Sequence, residues 1–443
     1  MTKCDRALRK SALRVAVLVT LERGGTAGGH VKCWERFAEA AIALPEELDL
    51  TVHFLGKASR VEHLAGHVRL REHPAVFSTR RLRFLDQGAG HTDLAPFHPA
   101  VAAALAGSDV VHATDFFSFG RSALSHARRH DSGLIASIHT DIPQFTRIYA
   151  SDVFRRMAGA RLGGMLSDRL RLPDHIAAHM SRTIDARLHR CHQVLVSKPE
   201  DYQRLLERLG QHRLALLRRG IDAARFSPRH RDRARLQQIY GIPTERPVMM
   251  FAGRVDASKS AMLVAETARQ LIQAGQDIQL LIVGDGEDRS RIAALLGERA
   301  CLPGHVPQET LAWLYASADL FLFPSTTEVS PNVVLEAKAS GLPVLVAASH
   351  GGAQFIGQPG ADGFVLASRN PADWASVTGS LLKQPGWRHS VGKAASGWID
   401  SKWPSWIEVL RSDLLPAWRR AAQMARTAHP LRDVTPADES MAA

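Results

Sequence analysis

Short, continuously apolar runs alternate with helical stretches along the chain, and they do so twice. The first series is "LRVAVLVT", "LDLTVHFLG", "DVVHATD", "LIASIHTD" and "QVLVS". The second is "PVMMFAGR", "IQLLIVGDG", "ACLPGHV", "DLFLFPS", "PVLVAAS" and "GFVLA". Runs of this kind suit strands of parallel sheets covered on both faces. Stretches such as "SAMLVAETARQLIQAG" and "TLAWLYASA" supply the crossover helices between them. The pattern predicts an α/β chain built as two doubly wound, Rossmann-like domains facing each other across a cleft. The expected divisions are 1–215, 216–395, a helical segment over 396–426 and a disordered tail over 427–443. The joint falls in the polar, basic, proline-interrupted "LLRRGIDAARFSPRHRDRARLQQIYGIPTERP". The segment "WPSWIEVLRSDLLPAWRRAAQMA" reads as a helix broken at both of its prolines.

The stretch "EVSPNVVLEAKASGLPVLV", from Glu328, places two glutamates eight positions apart between two buried strands. Ser330 is expected to cap the intervening helix, with Pro331 at its first position and Gly341 ending it. Glu328 then lies in the loop leaving a strand's carboxyl end, where such sheets bind ligands. Glu336 sits one to two turns into the helix.

Other motifs gather at the same kind of place. "GRVDASKS", Gly253 to Ser260, follows a strand and opens a helix, which suits phosphate binding with Arg254 and Lys259 adding charge. Ser258 stands where a Walker A loop needs its second glycine, which argues against a P-loop ATPase. "VGDGEDRSR" has only G-x-G, with Arg289 at the third glycine position, so an NAD fingerprint is not supported and a tight turn suffices. "GGTAGGH", Gly24 to His30, could bring backbone amides to a diphosphate. "SIHTDIPQF" puts His139 and Asp141 just past a strand end, where a histidine can position a reacting hydroxyl. No DxD or HExxH arrangement calls for a metal.

The formal net charge of +12 favours anionic partners, and arginines crowd residues 147–190. Phe154, Met157, Ala158, Leu162, Met165, Leu166 and Leu170 recur at helical spacing among those arginines, a candidate face for an anionic membrane surface. Gly163 and Gly164 interrupt it, and a core-facing stripe is the ordinary meaning of such a pattern. The four cysteines, Cys4, Cys33, Cys191 and Cys301, are scattered, so neither a disulfide framework nor a zinc site is expected. Basic residues precede the apolar run Val15–Val19 near the start, but that run is too short for a signal peptide and reads as a first strand. The expected location is cytoplasmic, or peripheral on the inner face of the cytoplasmic membrane.

In order along the chain, "GRVDASK", "IVGDGEDR", "LAWLYASADLFLFPSTTEVSPNVVLEAKASGLPVL" and "HGGAQFI" resemble the donor half of glycosyltransferase family 4 (group 1). The resemblance is clear over about 190–367. It is looser before that, where the glycine-rich start and "IHTD" resemble members that glycosylate lipids, such as sulfoquinovosyl-diacylglycerol synthases and phosphatidylinositol mannosyltransferases. It implies a GT-B fold and transfer of a sugar from a UDP- or GDP-linked donor to a lipid or glycan hydroxyl, with retention and with neither metal nor cofactor. By position it implies that Arg254 and Lys259 neutralise the donor diphosphate, that Glu336 holds the ribose and that Glu328 contacts the sugar. His139 would sit beside the reacting sugar, with Asp141 nearby. Gly28, Gly29, Gly351 and Gly352 would bring amides to the donor, and Val306, Ser330, Asn332 and Val333 would complete its surroundings. Ser330 and Pro331 replace the family's usual aromatic–glycine pair, and Phe355 replaces a common acidic residue. The rival readings are a transferase of exopolysaccharide or lipopolysaccharide assembly and, from another class, a basic membrane- or nucleic-acid-binding protein with lapsed catalysis. Arg254, Lys259, Glu328 and Glu336 occurring together argue against the latter, and nucleic acid is not the expected partner.

Overall fold

The computed structural model describes residues 12–24, 28–81, 91–138, 171–326, 328, 330–348 and 351–427. His139, Asp141 and the apolar stripe from Phe154 to Leu170 lie outside the described residues. The chain divides into two compact units, Met1–Arg218 with Ile407–Ala443, and Arg219–Trp406.

The first unit is built on an eight-stranded sheet in the order β3-β4-β2-β1-β5-β6-β7-β8. Its strands are β1 (Leu13–Glu22), β2 (Leu48–Gly56), β3 (Arg60–Ala65), β4 (Val68–Pro74), β5 (Val110–Ala113), β6 (Gly133–Ile138), β7 (Gln193–Val196) and β8 (Leu214–Leu216). All pairs are parallel except β3 with β4. β3, β4 and β8 are absent from the sequence reading. β3 and β4 carry charged residues in alternation, Arg60, Glu62, Arg69 and Arg71, as a half-solvated hairpin does, and of the two only β3 is at the sheet's edge. In the centre, Val15 pairs with both Leu50 and Val110, and β1 buries every residue from Val15 to Thr20. Asp115, just past β5, accepts from the Thr20 amide at 3.0 Å and hydroxyl at 2.6 Å, bracing the carboxyl ends of β1 and β5 together.

The C-terminal segment returns to this unit. Trp406–Val409, a π-helical turn over Leu410–Leu414 and Leu415–Thr427 follow one another without a gap. Of the two breaks expected at prolines, only the one at Trp403–Pro404 occurs. Pro416 is carried inside the helix, and the wider π turn before it takes up the ring that would clash with a regular preceding turn. The last helix lies on β6. A Cβ on Gly133 would come within 2.6 Å of the Ala421 carbonyl carbon, and Trp418 Nε1 donates to His112 Nδ1 at 3.1 Å.

The second unit has six parallel strands, β9 (Val248–Ala252), β10 (Gln279–Val283), β11 (Ala300–Gly304), β12 (Leu320–Phe323), β13 (Val344–Ala347) and β14 (Phe364–Leu366). Their order is β11-β10-β9-β12-β13-β14. The chain runs outward from β9 to one edge, then returns to β9's other side and runs to the opposite edge. The direction reverses between β9 and β12, and the crevice beyond their carboxyl ends is the place for a ligand in an open sheet. Much of the expected linker is core here: Ile221, Phe226, Leu236 and Ile242 are buried with the strands of this sheet.

Candidate functional site

Two loops leave the carboxyl ends of β9 and β12, and the residues singled out by motif sit on both. The first follows β9 from Gly253 and is held by the loop after β10. Gly253 N donates to Val283 O and Val255 N to Asp285 O, both at 2.9 Å. Gly284 (φ +132°) and Gly286 (φ +159°) allow this approach, since a Cβ on Gly284 would overlap the Gly253 carbonyl oxygen and one on Gly286 the Val255 carbonyl oxygen. The G-x-G therefore lets two backbones touch and fixes the loop that carries Arg254.

That loop does not run straight into a helix. Ala257–Lys259 form a 3₁₀ turn whose cap is Asp256, and the regular helix starts only at Ala261. Ser260 between them is left-handed, φ +56°, an uncommon and strained conformation for serine. Arg369 reaches its hydroxyl at 3.2 Å and that of Thr326 at 3.3 Å, so one side chain binds both loops. Ser325 adds a hydrogen bond to Ser258 O at 3.3 Å.

Lys259 is only 8% exposed, and its Nζ forms an ion pair with Glu328 Oε1. Arg254 pairs with Asp256 at 3.0 Å and donates to Ser258 at 3.1 Å. Burial pushes the Glu328 carboxyl up, but Lys259 first, then Arg254 and Arg219, outweigh it and hold it below the ordinary carboxylate range. Arg219 is missing from the sequence reading. It lies in "LLRRGID", is 4% exposed, and its backbone carbonyl accepts from Trp403 Nε1 at 2.8 Å. An arginine in a polar linker gives no signal of burial; the glycine and isoleucine after it were the available hint.

Glu336 lies on the helix Asn332–Ala339 and accepts from the hydroxyl of fully buried Tyr315 at 3.4 Å. Tyr315, on the helix before β12, is a second partner the sequence did not announce. The helix start differs from expectation. Pro331 is the capping residue, in extended conformation with no side-chain cap bond, and Ser330 is buried one position earlier. Asn332 begins the helix, and its buried Oδ1 has no hydrogen-bond partner among the described residues. Val333 and Val306 are half-buried against the core of this unit. Gly351 donates its amide to the Glu328 carbonyl at 2.9 Å, which ties the loop after β13 to the glutamate's backbone. Gly352 packs over Val346 and Phe323. In the first unit Gly28 caps the helix Gly29–Ala41, and a Cβ on Gly28 or Gly29 would meet nothing within 4 Å among the described residues.

The second unit thus brings Arg254, Lys259, Glu328, Arg219 and Gly351 into one neighbourhood at the sheet's reversal point, with Glu336 on the helix that follows. Concentrated cation beside ionised carboxylate can meet both the anionic and the hydroxyl-bearing parts of one ligand.

Residues 232–398 match the family described as glycosyl transferases group 1. Over that stretch the chain is similar to the group 1 glycosyltransferases. A D-inositol 3-phosphate glycosyltransferase of Nocardia farcinica is 32% identical over 43% of this chain and 45% of its own length. The chain thus spans less than half of that relative. Among solved structures, sucrose-phosphate synthase from Thermosynechococcus elongatus superposes with a TM-score of 0.67 at 20% identity, over 93% of this chain and all of that one. Anabaena HepE in complex with UDP-glucose gives 0.62 at 15% identity, over 94% and 99%. These likenesses give the chain the GT-B fold.

Proposed function

We propose that the protein transfers a sugar from a nucleoside diphosphate donor to an acceptor hydroxyl, with Lys259, Arg254 and Arg219 meeting the diphosphate. One observation carries this reading: these cations surround an ionised Glu328 at the point where the β9 and β12 loops diverge. In the reaction the bond from the anomeric carbon to the diphosphate oxygen breaks and its electron pair leaves with the phosphate. The acceptor oxygen bonds to that carbon and passes its proton to the departing phosphate oxygen. Negative charge grows on the departing phosphate, where fixed cations stabilise it without reorganising. Glu328 is proposed to accept from sugar hydroxyls, and Glu336, oriented by Tyr315, from the vicinal hydroxyls of the ribose. Retention of anomeric configuration and independence of a metal belong to the same proposal and are supported by the family resemblance.

The acceptor is proposed to carry an anionic group, as a membrane lipid headgroup does. The net charge of +12 supports that class, as does the name of the Nocardia relative. Among the described residues no helix is long and apolar enough to cross a membrane.

Calorimetric titration with UDP and GDP tests the donor site. One nucleotide is expected to saturate, with Lys259→Ala and Glu336→Ala each weakening it about tenfold or more. Absence of binding to both would sink the proposal. Incubation with UDP-hexoses in EDTA, with free inositol phosphates in one arm and anionic vesicles in the other, separates a soluble from a lipid acceptor, and NMR of the product reads its anomeric configuration.

A further inference from the structure

The Lys259 ammonium is nearly enclosed, with its side chain 9% exposed, while the Glu328 side chain that meets it is 32% exposed. A buried ammonium without a partner is costly, so a pocket that stays folded without its ligand needs an anion beside this lysine. Glu328 supplies one. Its backbone is fixed from the other side by Gly351, whose amide donates to its carbonyl, so the carboxylate is delivered to the lysine from a tethered loop. Arg254 is occupied differently, paired with Asp256 at 3.0 Å, which itself accepts from Ser258 Oγ at 2.6 Å and Lys259 N at 3.1 Å. Arg219, buried nearby, is a third cation acting on Glu328.

We propose that Glu328 is the resident counter-anion of the ligand-free donor pocket, and that the donor diphosphate takes Lys259 from it. This rests on the donor-site reading above and goes beyond it. One carboxylate then does two successive jobs. Without ligand it neutralises Lys259. With the sugar nucleotide bound it is released toward the hydroxyls of the transferred sugar, which replace the lysine as its donors. A nucleoside diphosphate without sugar also displaces Glu328 but offers it no hydroxyls in return, leaving a carboxylate beside phosphate oxygens. The device therefore favours intact donor over spent product, and re-formation of the ion pair assists product departure.

The test is calorimetric titration of the full chain with UDP, or with GDP if that is the nucleotide bound. Wild type, Glu328→Gln, Lys259→Gln and the double variant are compared, and Glu328→Ser stands in if the glutamine variant fails to fold. Glu328→Gln is expected to bind the nucleoside diphosphate about tenfold more tightly than wild type, because nothing competes for Lys259. It is also expected to lose most of the preference for sugar nucleotide over free diphosphate. In the Lys259→Gln background the same replacement should give no gain. Equal or weaker binding by Glu328→Gln, with wild type binding normally, would overturn the counter-anion role and leave the donor site standing. If wild type binds neither nucleotide, both the donor-site reading and this inference fall.

Discussion

Two residues after Glu336, Lys338 points away from the candidate site and is completely buried. Its Nζ donates to Asp362 at 2.8 Å and to the Phe355 carbonyl at 2.6 Å, and lies 3.9 Å from the centre of the Trp398 ring. Asp362 in turn accepts from the Gly357 and Gln358 amides at 3.0 and 2.8 Å. One lysine therefore clamps the loop that follows Gly351 and Gly352 onto the helix that carries Glu336. Burial lowers the lysine's pKa, and Asp362 opposes that. Lys338→Met should destabilise the second unit by about 3–5 kcal/mol, because it strands a buried carboxylate. The double variant Lys338→Met/Asp362→Asn should recover part of the loss, and chemical denaturation of both measures it. In sequence Lys338 is simply a lysine in a helix. Whether such a residue is solvated or enclosed depends on what packs over it, and here that is a loop and a helix from later in the chain.

Among the elements, the paired loops after β9 and β10 were half legible. "GRVDASKS" and "VGDGEDR" both announce turns at strand ends, yet only the parallel register of β9 with β10 brings the turns together. Gly284→Ala would push the Gly253 carbonyl away and shift Arg254. Nucleoside diphosphate affinity should fall about tenfold or more, with a stability loss of about 1–3 kcal/mol for the strained backbone. Unaltered affinity in the Gly284→Ala variant would show that the loop contact does not set the arginine's position. The edge strand β3 and its neighbour β4 went unread because a charged, half-exposed hairpin lacks the apolar run that marks a strand covered on both faces. The helix after Pro331 was anticipated, but its cap was not, since serine at such a position has capping propensity whether or not the fold points it outward.

For the molecule as a whole, the buried histidines set an acid limit, and they gather in the first unit. Burial lowers His73 and His126 to about 4, His112 to about 3, His53 well below its ordinary value, and His192 in the same direction. Each folded value lies below the unfolded one of about 6.5, so the stability these groups carry is complete above that pH. As pH falls below about 6.5 the unfolded chain takes up protons that the folded one refuses. One histidine moved from 6.5 to about 4 forfeits roughly 2 kcal/mol by about pH 5. Thermal unfolding between about pH 7.5 and 5 should show the first unit weakening. Fluorescence of Trp34, whose ring centre is 5.0 Å from that of His112, offers a local probe. A melting temperature flat across that window would contradict the buried, neutral state. The positive charge is also partly structural. Arg231 and Arg233 donate to the carbonyls of Ala316, Ala318 and Ser317 at the end of the helix before β12, and Arg213 caps His189 and Cys191.

By itself the sequence determined the α/β class, the two series of strands, the two glutamates flanking a helix start, and the basic loop after β9. These are local properties: apolar run length, period, and residue type at turns. The tertiary structure decided the rest. It returned the C-terminal helix to the first unit, enclosed Lys259, Arg219 and Lys338, and set Glu328 against Lys259, 69 residues earlier in the chain. Burial and charge pairing depend on which distant backbones come together, and strand order settles that.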